Sequence, residues 1–200
     1  MSELIDRGHY QNLAGLDAGE VSARVPAVSV DQEQNYALDI LDSRCLISPK
    51  ECNVRPQDGF PPLHEYFNLF AVHYLLTGQN VEPKKEWISE KDLPGGATFF
   101  RGPHEIPTRL ITDNVADSLE TFRKLCRKRG GSSLDMADAA YSFQVTEKIP
   151  VAILYWLGDE DFPSEAKLLF DRSINSHFAL DIIYALAVGM CMELGNTRIE

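Results

Sequence analysis

Between Tyr141 and Leu157 the chain changes its hydrophobic rhythm. Tyr141, Phe143 and Val145 alternate with Ser142 and Gln144, a turn through Glu147-Lys148-Ile149-Pro150 follows, and Val151 to Leu157 is apolar without interruption. Alternation belongs to a strand with one buried face, and an unbroken apolar run of strand length belongs to a strand covered on both. The spacing therefore predicts an antiparallel hairpin whose second strand lies inside the domain. The rest of the chain has to supply its cover.

Two segments are suited to that task. Leu63 to Thr77 follows the prolines of Asp58-Gly59-Phe60-Pro61-Pro62 and stops at Gly78, and its apolar residues occupy most of a helical circumference. Phe178 to Leu194 is apolar nearly all round and stops at Gly195-Asn196. A third helix is predicted from Thr112 or Asp113, with Val115, Leu119, Phe122 and Leu125 or Cys126 on one side. Residues 11–29 predict one weak helix interrupted by Gly15, Gly19 and Pro26, and Phe162-Pro163-Ser164-Glu165 predicts a short helix reaching Phe170. Tyr36 to Ile40 and Cys45 to Ile47 read as a second hairpin, Trp87-Ile88-Ser89 as a short strand, and Leu93-Pro94-Gly95-Gly96 as a type II turn with no helical pattern behind it. No repeat, long linker or change of composition divides the chain. The expectation is a single α+β domain over residues 1–200, a mostly antiparallel sheet packed against several helices.

Composition narrows the functions. A 200-residue chain with 44% hydrophobic residues buries enough surface to fold without staples. Nineteen Lys and Arg against 30 Asp and Glu give a net charge of −11, and that field disfavours nucleic acid and anionic membrane as partners. Ile182 to Met192, the longest apolar stretch, falls short of the roughly 20 residues a bilayer requires, and Met1 to Tyr10, with Glu3, Asp6 and Arg7, carries no signal-peptide run. A cytoplasmic protein is expected. Cys45, Cys52, Cys126 and Cys191 include no C-x-x-C pair; only Cys45 and Cys52, on either side of Pro49-Lys50-Glu51, are near enough for a turn to bring together. Phosphate-cradling glycine loops, a G-x-S-x-G elbow and an H-E-x-x-H helix are all absent. The basic run Arg123, Lys124, Arg127, Lys128 and Arg129 reads as a solvated helix face, and Asp159-Glu160-Asp161 as a solvated turn.

The run Ile149-Pro150-Val151 through Tyr155-Trp156-Leu157-Gly158-Asp159-Glu160-Asp161-Phe162-Pro163, then Leu169-Phe170-Asp171-Arg172-Ser173 and His177, resembles domain of unknown function family 3786. Trp87-Ile88-Ser89 and Leu93-Pro94-Gly95-Gly96 before Phe99-Phe100 extend the likeness over most of the chain. After His177 the chain departs from that pattern, with Phe178-Ala179-Leu180-Asp181 in place of an aromatic hydroxyl and a Pro-Thr-Glu-Asp-like helix start. The resemblance implies a cytoplasmic setting in anaerobic bacteria and archaea, and no established activity.

Phe170 to Asp181 is the densest set of chemically capable side chains. Neutral imidazole offers a lone pair to a metal, so His177 is the candidate metal ligand, and with Asp171, Arg172, Ser173 and Asp181 it forms the candidate cofactor-binding set. One histidine suffices as axial ligand to a tetrapyrrole, haem or corrinoid, in an apolar interior, and Asp181, four residues on, is placed to orient the ring if both share the first helical turn. The bland reading is that Asp171 and Ser173 cap a helix, Arg172 pairs with an acid and His177 is an ordinary hydrogen-bonded residue. His73, on an apolar helix, is a weaker second candidate. The leading expectation is a non-catalytic ligand-binding or accessory protein, holding a small-molecule cofactor or a partner protein. The alternative is a small-molecule enzyme using His177 with Asp171 or Ser173.

Overall fold

The computed structural model describes residues 4–197; Glu3 and both extremities of the expected 1–200 domain lie outside the described residues. Two helices precede the first strand, α1 (Arg7–Ala14) and α2 (Ala18–Arg24), where one was expected. Each has its own start: Asp6 accepts the Gly8 N–H and Asp17 accepts the Glu20 N–H, so the chain re-nucleates after Gly15.

Four strands then form an antiparallel sheet in sequence order, β1 (Ser29–Val30), β2 (Tyr36–Ile40), β3 (Ser43–Ser48) and β4 (Asn53–Pro56). The expected hairpin is β2 with β3, in which Tyr36, Leu38 and Ile40 point inward opposite Ile47, Cys45 and Ser43. This sheet separates Cys45 from Cys52. Cys45 lies opposite Pro56 while Ser48 lies opposite Asn53, so Cys52, four residues before Pro56, is displaced from Cys45 by roughly 13 Å along the ladder. That exceeds disulfide reach. All four cysteines are free thiols, and burial raises the Cys45 thiol to about 11 and the Cys191 thiol to about 12.

The expected central helix is α3 (Glu65–Thr77), and the chain then passes through β5 (Trp87–Ile88) to the Leu93-Pro94-Gly95-Gly96 turn. Gly95 has φ +78°, as a type II turn requires. A short helix, α4 (Gly96–Phe99), does follow it, and a Cβ on Gly96 would stand 1.9 Å from the Glu90 carbonyl oxygen. The helix expected from Thr112 is two, α5 (Arg109–Val115) and α6 (Leu119–Lys128). Ala116 and Asp117 take positive φ between them, and the Ser118 hydroxyl accepts the Thr121 N–H to begin α6.

The remaining elements are β6 (Ser132–Leu134), β7 (Ala139–Thr146), β8 (Ile149–Trp156), β9 (Glu165–Asp171) and α7 (Leu180–Asn196). They complete a second antiparallel sheet of order β5-β9-β8-β7-β6. β7 and β8 are the predicted hairpin, paired Tyr141 to Ile153 and Phe143 to Val151, and β8 is buried along nearly its whole length. The short helix expected up to Phe170 is instead β9. Glu165 and Lys167 alternate with the buried Ala166 and Leu168, and pairing with β8 satisfies main-chain groups that an exposed helix would have left beside an open strand.

Tyr74, Phe70 and Phe67 of α3, Ile153 of β8, Phe170 of β9 and Leu186 of α7 belong to one continuous core. α7 packs against α3 and α5, and α3 also meets α1 and β3. The two sheets join where β7 bulges between Gln144 and Thr146: the Leu41 N–H donates to the Val145 carbonyl at 2.9 Å. A smaller cluster, Ala140, Ala152, Leu154 and Leu169 with Trp87 and Trp156 at its margin, occupies the other face of the larger sheet. The structure is thus a single-core α+β fold with two antiparallel sheets. No helix among the described residues is long and apolar enough to cross a membrane.

Candidate functional site

Asp171, Ser173 and His177 lie between β9 and α7, on a short 3-10 turn over Arg172–Ser176. All three are at most 2% exposed. Asp171 ends β9 and caps this turn: its Oδ1 accepts the Ser173 N–H at 2.9 Å and the Ser173 hydroxyl at 2.6 Å. The same oxygen accepts the Lys84 N–H at 2.8 Å. Burial pushes the carboxyl up, but these hydrogen bonds, with one from the Lys85 N–H, outweigh it and hold Asp171 below its ordinary 3.8. The ring of His177 accepts the Gln79 N–H on Nδ1 at 3.3 Å, and its main-chain carbonyl accepts the Thr77 hydroxyl at 2.9 Å. Arg172, half-exposed, pairs with Glu86 at 2.6 Å, and its N–H donates to the Glu86 carbonyl. Lys148 at the β7–β8 turn pairs with Glu82.

Apart from Thr77 at the end of α3, the partners on the other side of these contacts come from one irregular segment, residues 78–86, which crosses the end of the larger sheet. Four of the five predicted site residues therefore meet at one place, and what they do there is hold that segment down. Asp181 is elsewhere. It is exposed and its Oδ1 accepts the N–H of its neighbour Ile182. α7 begins at Leu180, three residues past His177, so the i, i+4 relation that was to aim Asp181 at the imidazole does not arise.

The geometry also tests the expected tetrapyrrole. Burial lowers His177 below 6.5, more than the Asp171 charge raises it, so the ring is neutral. With Nδ1 accepting from Gln79, the single ring proton resides on Nε2, a buried atom with no partner among the described residues. Axial ligation through Nε2 requires the opposite tautomer, and Nδ1 is already occupied. The residues as placed do not fit a haem or corrinoid ligand. Nor do they form a nucleophile and base: the Ser173 hydroxyl donates to Asp171, not to His177. Among the described residues no three His, Cys, Asp or Glu side chains gather as a metal site.

The other features resolve into structure. Arg129, expected on a solvated face, turns inward to pair with the buried Glu193 and with Asp42, and Arg127 reaches the Tyr141 hydroxyl. Asp159 accepts the N–H groups of Asp161 and Phe162 in a tight turn. His73 stands edge-on to His9 with ring centroids 4.4 Å apart, and burial, then His9, lowers it.

Sequence reasoning missed a concavity beside β9. A cleft of about 520 Å³ runs along Glu165–Leu168 of β9, walled opposite by Lys91, Phe100, Arg101 and Ile106. It shares Thr108, Glu165 and Ala166 with a neighbouring hollow of about 490 Å³. β5 pairs with β9 only at Phe170 and Asp171, which leaves the outer edge of Glu165–Leu168 without a strand. The Arg172 N–H faces the β5 side, so by strand alternation the N–H and C=O groups of Phe170, Leu168 and Ala166 face that side too. Among the described residues those of Ala166 and Leu168 have no hydrogen-bond partner. Among the described residues Lys91, Arg101 and Lys167 form no ion pair. The available signal was the alternation Glu165-Ala166-Lys167-Leu168, which the preceding Pro163-Ser164 disguised as a helix start.

No curated protein and no solved structure matches the chain. A family model described as "Domain of unknown function (DUF3786)" matches residues 17–193, which takes in every strand and all but the first helix and the last residues of α7. By that match the chain belongs to domain of unknown function family 3786, DUF3786.

Proposed function

We propose that the chain is a non-catalytic accessory protein of anaerobic metabolism, acting in the cytoplasm, and that it engages another molecule through the cleft along β9. The anaerobic and cytoplasmic parts rest on the family resemblance. One observation carries the binding part: the cleft of about 520 Å³, a volume usual for ligand sites, is bordered by a strand edge whose main-chain donors and acceptors are unpaired.

The test is photo-crosslinking in cells from a photoreactive phenylalanine analogue at Ile106 or Ala97, with Lys50, exposed at the β3–β4 turn, as control. Adducts from the cleft positions and not from Lys50 are expected. Equal yields at all three would overturn the reading. The protein purified without oxygen is expected to be colourless, and a Soret or corrinoid band would reinstate the tetrapyrrole.

A further inference from the structure

We propose that the strap over residues 78–86 is an acid-sensitive flap: a proton added to His177 frees its first half, Gln79 to Pro83, while the tethers at Lys84 and Glu86 keep the second half and the rest of the fold in place. The device does not depend on what the cleft along β9 binds.

The strap has no regular structure and is fastened point by point. The Gly78 carbonyl accepts the Arg24 guanidinium at 2.9 Å, the Gln79 N–H donates to His177 Nδ1 at 3.3 Å, Glu82 pairs with Lys148, the Lys84 N–H donates to Asp171 Oδ1 at 2.8 Å, and Glu86 pairs with Arg172. Between Gly78 and Lys84, among the described residues, only His177 and Lys148 tie the strap to the body beneath it; the Gln79 side chain bonds back to Thr77. The Glu82 side chain is 79% exposed, so its ion pair is screened by solvent and holds weakly. His177 is the principal tether of that half.

A proton removes this kind of tether. Nδ1 holds Gln79 with the lone pair that a second ring proton would take. Once protonated, Nδ1 is a donor facing another donor, and the contact turns repulsive. The closed strap therefore admits only the neutral ring, whereas an open strap, with water at the ring, admits either form. Closure also keeps His177 Nε2 and Asp171 Oδ2 buried with no partner among the described residues, a penalty that opening relieves.

The groups around the ring leave this response intact. Asp171 faces it from β9 and its charge favours the proton, but burial outweighs that charge and holds His177 below 6.5. From α3 come the Tyr74 ring, 6.2 Å away between centroids, and the Thr77 hydroxyl. Arg172 is engaged by Glu86, and Lys148, beside Glu147 at the β7–β8 turn, by Glu82. Lys84 and Lys85 of the strap are exposed. The second tether has a different threshold: hydrogen bonds keep the Asp171 carboxyl below 3.8, so it holds Lys84 after His177 has let Gln79 go.

The experiment uses the full chain, isotope-labelled, and follows amide exchange at about pH 7.5, 6.5 and 5.5, each rate divided by that of an unstructured amide at the same pH. Protection of the Gln79 amide is expected to fall about fivefold to tenfold from the highest to the lowest pH, as one proton bound by the open form requires, while the Lys84 amide and the core amide of Ile153 keep theirs. His177→Asn keeps an acceptor for Gln79 and gains no charge, and should remove the pH dependence. In the wild type, with no substitution to disturb folding, the Gln79 amide and the His177 ring carbons should shift with one midpoint below 6.5. A Gln79 amide unprotected at the highest pH or insensitive to pH, loss of protection at Lys84 or Ile153 together with Gln79, a pH dependence that survives in His177→Asn, or separate midpoints for the amide and the ring would each overturn the flap.

Discussion

Replacing Asp171 tests whether the buried polar cluster is a fastening. Its Oδ1 accepts three hydrogen bonds, from the N–H of Lys84, the N–H of Ser173 and the hydroxyl of Ser173. Each bond to a charged acceptor contributes about 1.5–3 kcal/mol, and each buried donor left unpaired costs about 1–3 kcal/mol. The bonds share one oxygen and do not add, and the Ser173 hydroxyl can rotate to another acceptor. Asp171→Ala is therefore expected to cost about 3–5 kcal/mol, and Asp171→Asn, which keeps an acceptor and loses the charge, about 1–2 kcal/mol. With a urea slope of about 2 kcal/mol per molar, the Ala variant loses about 1.5–2.5 M in its unfolding midpoint. Trp87 stands directly across from Asp171, so fluorescence in a Trp156→Phe background reports the transition at this spot. Because the folded carboxyl lies below 3.8, its contribution is present above that value and is lost as the pH falls through the folded pKa. The Asn variant should accordingly lose part of the wild type's decline on the acid side. If Asp171→Ala leaves both the midpoint and the exchange rate of the Lys84 amide unchanged, the fastening does not exist.

Ile153, wholly buried in β8, should not tolerate an unpartnered charge: Ile153→Asp is expected to cost several kcal/mol and to leave no cooperative thermal transition. Glu193→Ala leaves Arg129 with only Asp42 and the Thr197 hydroxyl and removes the acceptor of the part-buried His64 N–H, and should cost about 2–3 kcal/mol by urea unfolding. His177, held neutral, contributes stability that is full above about pH 6.5 and is lost as the pH falls toward its lowered value. His177→Asn, which keeps an acceptor for Gln79, should therefore flatten the fall in melting temperature between about pH 7 and 5, and an unchanged slope would refute a buried neutral ring.

The parts of this fold that were legible share a cause. The β7–β8 hairpin, α3 and α7 carry their burial in their own residue periods, so periodicity reads them directly. β9 was misread because Pro163-Ser164-Glu165 has the chemistry of a helix start, and the feature that overrules it, the open side of β8, is not local to those residues. The break between α5 and α6 depends on Ala116 and Asp117 accepting positive φ, which neither residue type announces. At the site, the sequence singled out Asp171, Arg172, Ser173 and His177 as neighbours along the chain and could not show that Gln79, Lys84 and Glu86 would meet them across about 90 residues. The cleft was invisible for a related reason: the strand edge that borders it is unpaired only because β5 is short.

The placement of α7 bears on the order in which the molecule assembles. The paired strands β1 to β4, and β6 to β9, are neighbours in sequence, so these ladders close over short loops and can form as the chain is made, with only β5 joining β9 from a distance. The helix that packs against α3 and α5 comes after all of them. Until it is synthesised, Phe67, Phe70 and Tyr74 lack the surface they are buried against, and Gly189, where a Cβ would come within 3.0 Å of the Phe67 ring, marks how closely that late element must fit. The nascent chain consequently carries two ready-made sheets and an open apolar interior. That is the interval in which it is most exposed to misassociation and to chaperone capture.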